Sequence, residues 1–125
     1  MTQPLAIIIE DDSKLAEIFS QTLKMTGFDT QSVFDGAVAL ERLSEITPDL
    51  ILLDLHLPNV SGDKILRYIR ATDRLAKTHV FLATADHLLA QTLQDEVTLV
   101  LIKPISVSQL QLLASRILTY VHPDS

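Results

Sequence analysis

Leu50-Ile51-Leu52-Leu53-Asp54 sets four apolar residues in a row and ends them on a carboxylate. A strand with one wet face alternates apolar and polar residues, so an unbroken apolar run suits a strand covered on both faces. That is the environment of a parallel sheet lying between helices. The pattern recurs in Leu5-Ala6-Ile7-Ile8-Ile9, Val80-Phe81-Leu82-Ala83 and Leu99-Val100-Leu101-Ile102. Phe28 to Val33 is more polar and predicts an outer strand. Between the runs the spacing turns helical. Leu15, Ile18, Phe19 and Leu23 form one stripe, closed by Gly27 as a C-terminal cap. Ala37, Leu40 and Leu43 form a second, ended by Pro48, and Ile65, Leu66 and Ile69 a third. Leu110, Leu113, Ala114 and Ile117 form the last, ended before Pro123. The stretch from Ala85 to Asp95 is the least clearly patterned, because His87-Leu88-Leu89-Ala90 is short and shows no amphipathic stripe. Strand then helix, five times over, predicts a doubly wound α/β fold with right-handed crossovers.

The whole chain, residues 1–125, reads as a single domain without internal repeat or linker. It is 47% hydrophobic and carries a net charge of −6, from 10 Lys and Arg against 16 Asp and Glu. The acidic balance argues against direct nucleic-acid binding or an anionic membrane surface. With no cysteine there is no disulfide framework, thiol nucleophile or cysteine-ligated metal. Gly27, Gly36 and Gly62 stand too far apart for a glycine-rich phosphate loop. No apolar run approaches the ~18 residues of a membrane span. Met1-Thr2-Gln3-Pro4 lacks the basic start of a signal peptide, so a cytoplasmic protein is expected.

In an open parallel sheet, ligands gather at the carboxyl ends of the strands. Glu10-Asp11-Asp12 follows the first run, Asp54 the third, Thr84-Ala85-Asp86 the fourth, and Lys103-Pro104 the fifth. Clustered carboxylates repel one another unless a cation joins them. Oxygen ligands without sulfur favour a hard ion such as Mg²⁺. Lys103 would suit a phosphoryl oxygen, Thr84 offers a hydroxyl, and Asp54 would be the nucleophile that forms an acyl phosphate.

These residues carry a resemblance. Ile9-Glu10-Asp11-Asp12, Leu53-Asp54-Leu55-His56-Leu57-Pro58 with Ser61-Gly62, Thr84-Ala85 and Lys103-Pro104, in order and each at a strand end, resemble the receiver domain of two-component response regulators over essentially the whole chain. The likeness is to stand-alone receivers of the chemotaxis-regulator kind. The resemblance implies a flavodoxin-like five-stranded sheet in the order 2-1-3-4-5. It implies that Asp54 accepts a phosphoryl group from a sensor histidine kinase or phosphotransfer protein. It further implies that Glu10, Asp11, Asp54 and the backbone carbonyl of His56 serve a Mg²⁺ ion, Glu10 through water, and that Thr84 and Lys103 contact the phosphoryl oxygens. A cis peptide before Pro104 is implied too, as is a role for His56 and Asp86 at the rim of the site. Signalling would follow from altered binding of a downstream protein, onward phosphoryl relay or homodimerisation. The protein would catalyse its own phosphorylation and slow dephosphorylation while acting mainly in signalling. As nothing follows Ser125, no output domain is expected in this chain. Val100 stands where the family usually places Tyr or Phe, and Glu96-Val97 replaces a usual Gly-Ala pair. The interval from Thr84 to Lys103 is short by most of a helical turn, which predicts a truncated or irregular fourth helix.

Plainer readings stand beside these. Asp12 or Ser13 could simply cap a helix. Thr84 and Lys103 could be an ordinary strand residue and a snorkelling lysine. His56, His79, His87 and His122 show no metal spacing and read as surface residues, and Leu112 falls off its helix's main stripe. Lys64, Arg67, Arg70, Arg74 and Lys77 read as the solvated face of one helix. Two other functions compete with a phosphorylatable receiver. One is a receiver-like interaction module that works without phosphorylation. The other is a Mg²⁺-dependent phosphohydrolase or nucleic-acid enzyme, disfavoured because His56 stands where a second acid would be needed.

Overall fold

A computed structural model describes residues 3–121; His122 and Pro123 lie outside the described residues. Strands β1 (Leu5–Ile9), β2 (Asp29–Val33), β3 (Leu50–Leu53), β4 (His79–Thr84) and β5 (Leu99–Ile102) form one sheet. All neighbouring pairs are parallel, in the order β2-β1-β3-β4-β5. Helices α1 (Ser13–Thr26), α2 (Gly36–Glu45), α3 (Gly62–Ala71), α4 (His87–Leu93) and α5 (Val107–Val121) follow the strands in turn.

The uniform apolar runs are explained by two cores, one on each face of the sheet. Ala6, Ile8, Leu50, Leu52, Phe81 and Ala83 point to a core shared with Phe19 and Leu23 of α1 and with Leu110 and Ala114 of α5. Ile7, Ile9, Ile51, Leu53, Val80 and Leu82 point to the other, with Leu43 of α2 and Ile65, Leu66 and Ile69 of α3. Alternate side chains serve opposite cores, so polar residues of the central strands are confined to the two ends of β4, at His79 and Thr84. β2 lies at one edge, as its more polar sequence predicts, with Asp29 exposed and Thr30, Gln31 and Ser32 partly buried.

β5 is the other edge, where the implied order 2-1-3-4-5 puts it, and Leu99, Val100 and Ile102 are only partly buried. An apolar run reports covered faces, not a second neighbouring strand. Other expectations need correction. Ile18 is 45% exposed, because the buried face of α1 runs through Ala16, Phe19 and Leu23. In α2 the core residues are Ala39 and Leu43, while Ala37 sits exposed in the first turn. His79 is half-buried at the start of β4 rather than a surface histidine.

The basic stripe is not one helix face, since α3 stops at Ala71. Arg70 donates from Nε to the Glu96 carbonyl at 2.7 Å. Arg74 donates to the carbonyls of Leu43 and Ile46 at 2.5 and 2.7 Å. These guanidiniums tie loops to the frame.

Helix ends follow their capping chemistry. Gly27, at φ 125°, takes the conformation at the end of α1 that a side chain would disfavour, and its N–H reaches the Leu23 and Lys24 carbonyls. Asp12 caps the start, its Oδ1 accepting from the amides of Lys14 and Leu15 at 3.0 and 3.2 Å. Asp12→Ala is therefore expected to cost about 1 kcal/mol, seen as a lower urea midpoint at unchanged m-value. α4 has only seven residues and runs into a 3₁₀ turn at Gln94–Glu96, as the short Thr84–Lys103 interval predicts.

Candidate functional site

The sheet holds its carboxyl-end residues by main-chain bonds that continue just past the strands. The Glu10 amide donates to the Val33 carbonyl, the Asp54 amide to Ile9, and the Lys103 amide to Thr84, at 3.0, 3.0 and 2.9 Å. Residues from three separate strand ends are thereby fixed at one edge. Glu10 and Asp54 are 2% and 5% exposed and Thr84 is fully buried, an unusual depth for carboxylates.

Their side chains converge. Lys103 Nζ donates to Glu10 Oε1 at 2.6 Å and to Asp54 Oδ2 at 3.2 Å. The Asp12 amide donates to Glu10 Oε2 at 3.1 Å, and the His56 amide to Asp54 Oδ1 at 3.3 Å. Asp11 is exposed, yet Glu10, Asp11 and Asp54 each place a carboxylate oxygen within 4.8 Å of the others. Three hard oxygen donors at that spacing, with one ammonium against them, fit a small divalent cation. Asp12 is absent from this group, its carboxylate being spent on the cap of α1.

Electrostatics sharpen the picture. Burial pushes the Glu10 carboxyl above its ordinary value, and the Asp54 charge adds to the rise, against hydrogen bonds from Lys103 and the Asp12 amide. On Lys103 burial is the largest single influence and pulls downward. The hydrogen bond to Glu10 and the charges of Asp54 and Glu10 together outweigh it, so its pKa is raised. Both shifts make stability fall as the pH rises, in different windows. Lys103 contributes stability that is full below 10.5 and is lost only in strong alkali. A raised Glu10 favours the fold most below 4.5 and less as the pH climbs through its folded value. Lys103→Met removes the counter-charge and should raise Glu10 further. Its urea-denaturation stability should then fall more steeply than the parent's from about pH 5 to about pH 7, reaching a deficit of roughly 2 kcal/mol. Parallel pH profiles would contradict this coupling.

At the rim, His56 Nε2 meets Asp86 Oδ2 at 3.0 Å, joining the loops that follow β3 and β4. Asp86 Oδ1 also accepts the Leu89 amide at 3.0 Å, capping α4. The cap and then the His56 bond hold the Asp86 carboxyl below its usual range. The sequence marks both rim positions but neither their pairing nor the cap. An Asp three residues before Leu89 at a helix start was the available signal. Lys103-Pro104 is cis, and Val100, partly buried, packs like Leu89, Leu93 and Val97 against the core that α2 and α3 cover.

A cleft of about 950 Å³ opens at the opposite end of the sheet, between Asp49, Arg70, Arg74, His79 and Thr98. It contains none of the converging carboxylates. Among the described residues no helix is long and apolar enough to cross a membrane.

Comparison with known proteins agrees with this geometry. The family model of the response regulator receiver domain matches residues 6–115. The DNA-binding response regulator MtrA of Mycobacterium tuberculosis is 43% identical over 65 residues, covering 52% of this chain and 28% of that protein. The DNA-binding dual master transcriptional regulator RpaA of Synechocystis is 37% identical over 82 residues, covering 66% of this chain and 34% of that protein. The chain thus spans about a third or less of the length of these curated relatives. Among solved structures, the signal receiver domain of a signal transduction histidine kinase from Syntrophus aciditrophicus superposes with a TM-score of 0.85 at 26% identity, covering 98% of this chain and 95% of that one. The chemotaxis response regulator CheY4 of Vibrio cholerae gives 0.84 at 21% identity, covering 93% and 99%, a likeness of fold.

Proposed function

The chain belongs to the response regulator receiver family, and from that premise we propose that Asp54 accepts a phosphoryl group from a phosphohistidine of a sensor kinase or phosphotransfer protein. The observation that carries this reading is the convergence of Glu10, Asp11, Asp54 and Lys103 at one sheet edge, on a buried carboxylate that is not spent on a helix cap. A carboxylate oxygen of Asp54 forms the new P–O bond. The P–N bond of the donor breaks, its electron pair returns to the imidazole nitrogen, and the product is an acyl phosphate. Glu10, Asp11, Asp54 and the His56 carbonyl would hold Mg²⁺. Bound there, the ion supplies charge neutralisation for the incoming phosphoryl oxygens. Lys103, already 3.2 Å from Asp54 Oδ2, supplies the second neutralising charge, and Thr84 supplies a hydroxyl donor.

Residues 1–125 would act as one cytoplasmic receiver unit, passing the signal to a protein partner, to a phosphorelay or to a second copy of the chain. The DNA binding in the names of MtrA and RpaA is a property of those proteins, whose matched segment is the receiver portion.

Incubation with Mg²⁺ and a small phosphodonor such as acetyl phosphate tests the reading. Mass spectrometry should show one phosphoryl adduct that hydroxylamine removes and that does not form after chelation. Without donor, Mg²⁺ at about 100 times its Kd should stabilise the fold by roughly 2.7 kcal/mol, read as a rise in Tm that EDTA reverses. If neither occurs, a phosphorylation-independent interaction module becomes the better account. The aliphatic Val100, packed against the core, favours that second reading.

A further inference from the structure

The loop that leads from Asp54 into α3 is fastened to a part of the chain outside the carboxylate cluster. Asp35 caps α2 with one carboxylate oxygen, Oδ1, which accepts the Ala37 and Val38 amides at 2.7 and 3.1 Å. Its other oxygen, Oδ2, accepts a hydrogen bond from Asn59 Nδ2. The Gly36 amide donates to the Pro58 carbonyl at 3.0 Å, and the Val60 amide reaches the same oxygen at 2.8 Å. The two segments abut so closely that a Cβ on Gly36 would lie 1.8 Å from the Val60 carbonyl oxygen. Asn59, at φ 70°, is the only non-glycine among the described residues with a positive φ. Asparagine tolerates that conformation better than most side chains, and its amide is the group that Asp35 holds.

Only Leu57 lies between Pro58 and His56. The His56 amide donates to Asp54 Oδ1 at 3.3 Å, and the His56 carbonyl is a metal ligand in the reading above. The Asp35–Asn59 bond is exposed, and a surface contact of this kind adds little to global stability. Its effect falls on where the loop sits. We propose that Asp35 and Asn59 form a clasp that sets the His56 backbone at the acceptor site, which makes Asn59 a positioning residue for Mg²⁺. The inference rests on the phosphoryl-acceptor reading and adds a pair of residues to it. With the clasp closed, the loop is ordered before the ion arrives. With it open, part of the binding free energy goes into ordering the loop, and the ion binds more weakly.

Isothermal titration with MgCl₂ and amide hydrogen exchange, both on the full chain without phosphodonor, test the clasp. Asn59→Gly suits the positive φ and leaves the cap of α2 in place, but removes the donor. Its Kd for Mg²⁺ should rise about tenfold, the lower end of what loss of an outer-shell partner of a metal ligand costs. In the same variant without metal, the Gly36 amide should exchange about tenfold faster while Ala39 of α2 stays protected. Asp35→Asn combined with Asn59→Asp exchanges donor and acceptor, and asparagine caps a helix as well as aspartate does. That double variant should return the Kd to within about threefold of the parent's. With acetyl phosphate added, Asn59→Gly should need about tenfold more Mg²⁺ for half its maximal labelling rate, with the maximal rate unchanged. A parental Kd or Gly36 exchange rate in Asn59→Gly, a lowered maximal labelling rate, or a double variant no better than Asn59→Gly refutes the clasp while the acceptor reading stands. If the parent itself binds no Mg²⁺, both fall.

Discussion

Asp54→Asn is expected to take up no phosphoryl group from any donor, a loss from near-complete labelling to background in the Mg²⁺ and acetyl phosphate assay. Asparagine keeps the shape of the side chain and can still accept from the His56 amide, which lies 3.3 Å from Asp54 Oδ1. What it lacks is an oxygen nucleophile with a free charge. The fold should survive the change. Asp54 repels Glu10 and attracts Lys103, and Lys103 keeps its 2.6 Å bond to Glu10 in the variant. Removing a buried carboxylate also removes its desolvation cost. Urea denaturation should therefore give a stability equal to or above the parent's, so the missing adduct reports on chemistry. Labelling of Asp54→Asn at the parental rate would move the acceptor to another residue and sink the reading.

Gly62→Ala should be the most damaging single substitution at the site. A Cβ on Gly62 would sit 2.1 Å from the Asp54 carbonyl oxygen and 2.7 Å from Leu55 Cα. These are backbone atoms of the segment that carries the acceptor, and no side-chain rotation relieves the clash. The Gly62 amide also donates to the Leu55 carbonyl at 2.8 Å, closing the turn before α3. The turn must open or β3 must shift at its end. Either costs about 3 kcal/mol or more, near the upper end of overpacking effects. Tm should drop by roughly 10 °C in a domain of this size. Labelling of Asp54 should slow as well, because the shift moves its carbonyl and with it the side chain. A variant within about 1 kcal/mol of the parent would show that the turn yields more easily than its contacts indicate.

Much of this site was legible along the chain. The apolar runs announce their strands by local pattern, and the residue after each run is a matter of counting. Glu10, Asp54 and Lys103 could thus be placed at the carboxyl edge, and Thr84 at the last position of its strand. The short α4 followed from the interval between Thr84 and Lys103. The division of labour within Glu10-Asp11-Asp12 was legible only in part, Asp12 being a candidate cap and Glu10 and Asp11 candidate site acids. Three adjacent acids look alike in sequence, yet one binds Lys103 at 2% exposure, one caps α1, and one stands exposed with an oxygen toward the cluster. The entry angle of α1 separates them.

Sequence pattern settled the class of the fold and the kinds of residue brought to its functional edge, because side-chain periodicity and helix-start chemistry act over a few neighbouring residues. Tertiary structure settled which of those residues meet. Lys103 and Glu10 are 93 residues apart, and His56 and Asp86 are 30 apart. Their pairing depends on the order in which the strands dock. The same docking leaves β5, as apolar as any interior strand, at the edge of the sheet. Local periodicity carries no record of which strand lies beside which; that is set by how helices on two faces divide one apolar sheet between two cores.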